Sequence, residues 1–172
     1  MTAPIPVITT PRLILRGPRD SDAASLGAFL ASPRAGWIGG PFPATDAPEW
    51  LECDRQRWAD AGRGSWMVAL RDDDTAIGRV GILDHDGWHE PELAWFLFDG
   101  FEGQGFAFEA ALAARAHAAT TLNLPPLFSF IERRNVRSRA LVLRLGGVPE
   151  RDVVFHDIHL TVYRHPGPRV RP

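Results

Sequence analysis

The stretch ELAWFLFDGFEGQGFAFEAALAARAHAATTL, Glu92 to Leu122, decides how this chain folds, and the remainder is read outward from it. Leu93 to Phe98 is apolar on both faces, the pattern of a central strand covered on both sides. Asp99, Gly100, Gly103 and Gly105 follow where the backbone must turn sharply, and the glycines remove side chains that such a turn would crowd. From Phe106 onward alanine recurs at 107, 110, 111, 113, 114 and 118, which favours a helix with small faces able to lie close to a sheet. A strand, a glycine turn and a helix N-terminus make a ready anion site. The first N–H groups of the helix lack intrahelical partners, and the dipole adds partial positive charge. The dipole contributes about 0.3–1 kcal/mol, so several N–H bonds to one phosphate must supply the rest. Backbone groups, with no lysine among them, would hold such a ligand.

The loop does not have the P-loop pattern, because no Lys-Ser/Thr follows the glycines, and Gly100, Gly103 and Gly105 have the wrong spacing for a dinucleotide GxGxxG fingerprint. Gly103-Gln104-Gly105-Phe106-Ala107 instead resembles the pyrophosphate loop of the GNAT acyltransferases. The longer run Phe101-Glu102-Gly103-Gln104-Gly105-Phe106-Ala107-Phe108-Glu109-Ala110, after a Glu-initiated strand, resembles the RimJ/RimL-like branch of that family. A second motif, Asn135-Val136-Arg137-Ser138 with Leu145-Gly146, is similar to the family's segment after its fifth strand. The resemblance runs from RLILR at Arg12 onward. It implies one GNAT domain over residues 1–172 and a mixed, mostly antiparallel α/β sheet flanked by helices.

Taken in order, Arg12 to Arg16 reads as a first strand after a Pro-punctuated lead, and Ala23 to Ala31 as a short helix behind Asp20-Ser21-Asp22. Thr45-Asp46-Ala47-Pro48-Glu49 opens a second helix with Trp50, Leu51, Trp58 and Ala61 on its inner face, closed by Gly62 to Gly64. Ser65 to Leu70 and Ala76 to Leu83 form a hairpin around an acidic turn, Asp72-Asp73-Asp74, whose simplest reading is solvated, not metal-binding. Leu127 to Ile131 is another strand, Asn135 to Leu145 a helix, and Val148 to Val154 with Ile158 to Tyr163 close the chain; Pro166 to Pro172 is expected to be loose. The order β-α-α-β-β-β-α-β-α-β-β mixes hairpins with crossovers and predicts a mixed sheet.

At 172 residues, with 45% hydrophobic residues, the chain has the size of one domain with a packed core. A net charge of −2 gives no global sign of nucleic-acid or membrane binding. Cys53 is the only cysteine, which excludes a disulfide framework and a cysteine metal site, and its ordinary role is that of a buried structural residue. The first sixteen residues lack a signal pattern and no apolar run approaches the ~20 residues that span a bilayer, so a cytoplasmic protein without metal is the expectation.

The resemblance implies acetyl-CoA as donor and an amine, on a peptide or a small molecule, as acceptor, with direct transfer in a ternary complex and a homodimer as a plausible assembly. The N–H groups of Gly103, Gln104, Gly105, Phe106 and Ala107 would hold the pyrophosphate. The backbone of Phe96, Leu97 and Phe98 would pair with the pantetheine arm and polarise the acetyl carbonyl. Asn135 would bond the donor or cap the next helix, and Ser138 would sit near the thiol. Glu92 is the candidate base, with His89, Glu90 and His85 beside it; its other reading is a carboxylate bonding backbone N–H groups. Trp37, His89 and Glu92 are candidates for contact with the acceptor, and the acidic stretch from Asp84 to Glu92 favours a cationic one. Arg133, Arg134, Arg137 and Arg139 would meet the CoA 3′-phosphate or form a solvated face. Glu102 is unfavourable beside a pyrophosphate and is expected to point to solvent. Gly147 stands where relatives often carry an aromatic and is expected to loosen its surroundings. No Tyr follows in the helix after the fifth strand, which leaves Ser138 or water as the acid. The rival readings are an acyl-CoA-binding module without transfer, and an interaction domain using the aromatics of Gly36 to Pro43.

Overall fold

The computed structural model describes residues 4–167. Among these, the strands are β1 (Ile8–Thr9), β2 (Leu13–Arg16), β3 (Ser65–Leu70), β4 (Ala76–Leu83), β5 (Glu92–Leu97), β6 (Phe128–Glu132), β7 (Val148–Phe155) and β8 (Ile158–Arg164). The helices are α1 (Ala23–Leu30), α2 (Ala47–Ala61), α3 (Phe106–Thr120) and α4 (Val136–Arg144), with 3-10 turns at Asp20–Asp22, Pro33–Ile38 and Ala44–Asp46. The tail expected to be loose lies, from residue 168 on, outside the described residues, as do residues 1–3 of the N-terminal stretch read for a signal. No helix among the described residues is long and apolar enough to cross a membrane.

All eight strands join one sheet in the order β1-β2-β3-β4-β5-β6-β8-β7. Every neighbouring pair is antiparallel except β5 and β6. The mixed sheet flanked by helices agrees with the sequence reading. The short β1 pairing was not foreseen: Ile8 and Thr9 lie in the proline-punctuated lead, in the four-residue run Val7 to Thr10 between Pro6 and Pro11.

The sheet's two faces have different cover. Trp66, Val68, Val80, Leu93 and Leu97 point to one face, where Ala110, Ala111, Ala114 and Ala118 of α3 pack against them. These four alanines are at most 1% exposed, so the helix backbone comes close to the sheet. On the other face, Leu26, Phe29, Leu30 and Leu51 of α1 and α2 meet Met67 and Phe98. Two ion pairs are buried on this second face, Arg16 with Asp22 (2.9 Å) and Arg79 with Asp54. Asp74, from the acidic turn, adds a 2.8 Å contact to Arg16 and pairs with Arg19, so that turn ties the β3–β4 hairpin to the chain's start.

Two details differ from expectation. Asp46, the residue before α2, is itself helical (φ −80°) and makes no side-chain cap; the 3-10 turn that it ends, Ala44–Asp46, supplies the entry instead. Gly147 does not loosen its surroundings, because a Cβ there would stand 2.7 Å from Val142 Cγ2 and 2.9 Å from Val142 O. The missing side chain lets β7 start directly under α4.

His165 follows β8 and is 1% exposed. Ser129 Oγ lies 2.5 Å from Leu93 O and 2.8 Å from His165 Nε2. The hydroxyl has one hydrogen, directed at the carbonyl, so His165 Nε2–H is the donor to Ser129. Nδ1 then faces Arg115 Nη1 at 3.5 Å. Burial, reinforced by Arg115 and Arg164, pushes the imidazole down to about 4. Its folded pKa is below the unfolded value, so the folded state binds fewer protons between pH 4 and 6.5; stability rises with pH there and is lost as pH falls. The wild type should lose about 2 kcal/mol from this group between pH 7 and 5, and a His165→Phe variant should lack that component in denaturant titrations at the two pH values. Equal pH sensitivity of the two proteins would remove the assignment.

Candidate active site

Between β5 and β6 the sheet comes apart. The register contains one pair, Glu92 with Phe128, and beyond it the two strands diverge. Side chains bridge the start of the split: Glu92 Oε1 accepts the Phe130 N–H (2.9 Å), and Ser129 Oγ donates to Leu93 O. The resulting cleft is reached from both faces of the sheet. On the α3/α4 side it is lined by the glycine loop and the first turn of α4; on the α1/α2 side, by Trp50, Asp54, Arg79 and His85.

The main chain that faces the split follows from strand alternation. Phe98 N–H donates to Ile77 O (2.8 Å), so Phe98, and by the antiparallel register Phe96 and Ala94, direct their polar backbone groups to β4. Leu93, Trp95 and Leu97 direct theirs to the split. This corrects the expectation for Phe96, Leu97 and Phe98: of the three only Leu97 offers its backbone, and Trp95 joins it. The Leu97 carbonyl already accepts from Arg34 Nη1 (2.9 Å). The period-2 rule, applied with a guess of which pair bonds β4, could have found this.

The glycine loop stands at the N-terminus of α3. Gly103 and Gly105 have φ of 75° and 81°, the left-handed region that glycine adopts without strain. The Glu109 N–H donates to Gly105 O (3.1 Å), and the N–H groups of Phe106, Ala107 and Phe108 precede that bond without a backbone acceptor among the described residues. Arg12 braces the loop from behind, donating to Gln104 O (2.9 Å), pairing with Glu109 (2.7 Å) and covering the Phe106 ring at 4.5 Å. Glu102 does not point to solvent as expected. Its carboxylate accepts the Gly100 N–H (2.7 Å) and pairs with Arg34 (3.2 Å) and Arg137 (3.3 Å). The two guanidiniums offset its charge beside the loop. Arg34, which also pairs with Asp99 at 2.6 Å, was invisible to motif reading because its partners lie more than sixty residues away.

Glu92 is 7% exposed and occupied on both oxygens. Oε1 holds Phe130, and Oε2 lies 2.5 Å from His85 Nε2. The carboxylate therefore plays the backbone-bonding part that was one of its two readings, while orienting His85. The His85 ring is 5.9 Å from Phe130 and 5.8 Å from Phe155, and it lines the cleft. His89 is exposed and is not among the cleft residues, which corrects its placement beside the acceptor. Glu90 pairs with Arg164 (2.7 Å) and Asp84 with Arg63 (2.8 Å), so the acidic stretch is largely neutralised and no longer argues for a cationic acceptor.

Asn135 Oδ1 accepts the Ser138 N–H (3.1 Å) and caps α4; both residues line the cleft on the α3/α4 side. Trp37 is 48% exposed on the Pro33–Ile38 turn, at the same cleft. The four arginines after β6 are each engaged: Arg133 with Asp152, Arg134 with Glu132, Arg137 with Glu102, and Arg139 with the Arg133 carbonyl. Arg144, which the sequence reading did not single out, stands over the Phe108 ring at 4.1 Å and shares a surface hollow with Gly103, Gln104 and Gly105. Cys53 is exposed and lines the α2 wall, which corrects the expectation that it is buried. Its position, one residue before the inward-facing Asp54, turns it toward the cleft mouth.

Residues 12–148 match the family model described as the acetyltransferase (GNAT) domain. An acetyltransferase from Agrobacterium tumefaciens str. C58 is similar in structure, with 35% identity, a TM-score of 0.86, and coverage of 96% of this chain and 97% of that one. A Vibrio cholerae protein with a provisional ribosomal-protein-serine acetyltransferase assignment is similar at 25% identity and a TM-score of 0.81, over 96% of this chain and all of that one (100%). Among curated relatives, the uncharacterized N-acetyltransferase YnaD of Bacillus subtilis (strain 168) is 28% identical over 79 residues, so the chain spans about half of that relative's length (46%). A family match over most of the chain, together with a split sheet beside a glycine-capped helix, places this chain in the GNAT acetyltransferase family and so among the transferases.

Proposed function

We propose that the protein transfers the acetyl group of acetyl-CoA directly to an amine in a ternary complex. The observation that carries this is the opening between β5 and β6, bordered on one face by the unpaired N–H groups of α3 and on the other by His85 held by Glu92. Bound acetyl-CoA supplies an activated thioester. The N–H groups of residues 103–107 fit a pyrophosphate, as does the positive end of α3. The Trp95 and Leu97 backbone fits an extended amide-bearing arm laid in place of a strand, and one of these N–H groups would stabilise developing negative charge on the acetyl oxygen. Arg34 must yield the Leu97 carbonyl or share it.

Glu92 fixes a proton on His85 Nε2, which leaves the Nδ1 lone pair as the base. The ammonium of the acceptor gives one proton to this nitrogen, the C–N bond forms, and the C–S bond breaks. The second proton lost by the acceptor nitrogen passes through the Ser138 hydroxyl or water to the leaving sulfur, so that Ser138 ends as it began. Asn135 holds Ser138 in position by capping its N–H. No covalent acyl-enzyme is required, and Cys53 remains acetyl-free in this scheme. A homodimer would find Val148 and Val154 exposed on the edge strand β7, with Ile158 exposed at the start of β8 beside it.

Calorimetric titration of acetyl-CoA tests the donor site. Wild type should bind in the micromolar range, and Gly105→Trp, with φ at 81° and Arg12 Nη2 3.4 Å from the new Cβ, should lose binding by at least about tenfold while melting within a few degrees of wild type. Equal binding by a folded variant would overturn the loop's role.

A further inference from the structure

The α1/α2 side of the cleft contains an arginine with incomplete hydrogen bonding. Arg79 lies on β4 opposite Phe96 and is 6% exposed. Its Nη2 alone meets Asp54, touching both carboxylate oxygens. Nε is buried without a partner, and Nη1 donates to no group among the described residues. Trp50 and Phe96 stand 5.3 and 5.4 Å from the guanidinium carbon, as ring walls of the same slot. A buried guanidinium usually has its N–H groups satisfied, so donors left unused at a cleft floor call for an acceptor from outside.

The local charge points the same way. Arg57, one turn after Asp54 on α2, lines the cleft and forms no ion pair among the described residues, and it acts on both Arg79 and Asp54. The wall thus carries two guanidiniums, one of them exposed, near one carboxylate. Asp46 and Glu49 are the other acids of this wall, but at about 1.5 Å per residue they lie roughly 12 and 7 Å along the helix from Asp54. Between Arg79 and the His85–Glu92 pair the floor carries small side chains at Gly81 and Ala94, with Ser65 Oγ and Leu83 Cδ2 at 2.6 and 3.1 Å from where a Gly81 Cβ would stand. This floor, Arg79 to Leu83, is roughly 13 Å long at ~3.3 Å per strand residue.

We propose that the acceptor is an amine that also carries a carboxylate, an amino-acid-like molecule, and that Arg79, helped by Arg57, binds that carboxylate. This rests on the transfer reading above. The acceptor would lie along the floor, its amine over Gly81 and Ala94 within reach of His85 and its carboxylate on Arg79 Nη1, on the edge of the guanidinium that Asp54 leaves open. A carboxylate there balances the second guanidinium.

The test measures binding of reaction products, so it does not depend on turnover. N-acetylglycine and N-acetyl-4-aminobutyrate, each with its carboxamide, are titrated with and without CoA into wild type, Arg79→Lys and Arg57→Gln. In wild type one or both acids should bind at least about tenfold tighter than the matching amides, as a charge-assisted pair requires. Arg79→Lys keeps a cation for Asp54 but lacks Nε and Nη1, and should cut the ratio below about threefold with CoA affinity unchanged. Arg57→Gln, at an exposed position, should cut it less and keep the wild-type melting temperature. The proposal is overturned if acid and amide bind alike, if neither acid binds, or if the ratio survives in a folded Arg79→Lys. Loss of CoA binding by wild type would count against the transfer reading alone, since the acid–amide ratio is also measured without CoA.

Discussion

Replacing His85 with Ala should lower kcat for acetyl transfer by about 10²–10⁴-fold, the ordinary contribution of a positioned base, and leave the acetyl-CoA Kd unchanged. The reason for the split is geometric. His85 borders the α1/α2 side of the cleft, while the loop that would hold the donor lies on the α3 side. Free imidazole should restore part of the lost rate, because the cavity left between Phe130 and Phe155 has the shape of the removed ring. Glu92→Gln tests the other half of the pair. The amide can still accept the Phe130 N–H, but it presents an N–H to His85 Nε2, forces the ring proton onto Nδ1 and removes the lone pair from the cleft. Steady-state rates that stay within threefold of wild type in His85→Ala would eliminate His85 as the base and return that role to water.

Asp54→Ala should destabilise the fold by about 3–5 kcal/mol, because it strands the Arg79 charge at a site taken out of water. Burial pushes the Asp54 carboxyl up and the Arg79 guanidinium down, so each group depends on the other to remain charged. For a chain of this size the loss corresponds to a melting temperature lower by roughly 10 °C. The double variant Asp54→Ala/Arg79→Met should regain most of it, since an apolar side chain between Trp50 and Phe96 leaves no charge to solvate. A single-variant loss below 1 kcal/mol in urea titrations would mean that water reaches the pair and that Arg79 is not a desolvated donor.

The strand-turn-helix at Glu92 to Leu122 was legible because each of its parts is local. Apolar runs, glycines at turn positions and an alanine stripe all act within a few residues. The positions of β3 to β8 followed from the same local signals. The site was legible only where a motif encodes a backbone shape, as at Gly103 and Gly105. The side chains that complete it are paired across large sequence separations: Arg34 with Glu102, Arg79 with Asp54, Arg12 with Glu109. Nothing in the local sequence marks these partners. His85 and His89 are both loop residues near Glu92, and the sequence reading favoured His89, the nearer in sequence, for contact with the acceptor. They were separated only by which one the turn before β5 aims at the carboxylate. Phe96 and Phe98 failed for a related reason, because alternation fixes which residues share a side but not which side is already bonded to β4.

The parted strands have a consequence for inhibitor design. A donor arriving from one face and an acceptor from the other would meet inside the sheet, so a single molecule that joins mimics of both must be threaded through a doorway. Such a compound would gain from effective concentration, the second half binding as if intramolecular, but only with a tether long enough to pass between Trp95 and the chain beyond Phe130. Its tail would face Arg79 on one side and its anionic head the glycine turn on the other. If the passage is narrower than the two ends of such a molecule, the halves must be linked in place or enter while the strands are spread. Slow association and slower departure would then be the kinetic mark of a ligand that has gone through the protein instead of lying on it.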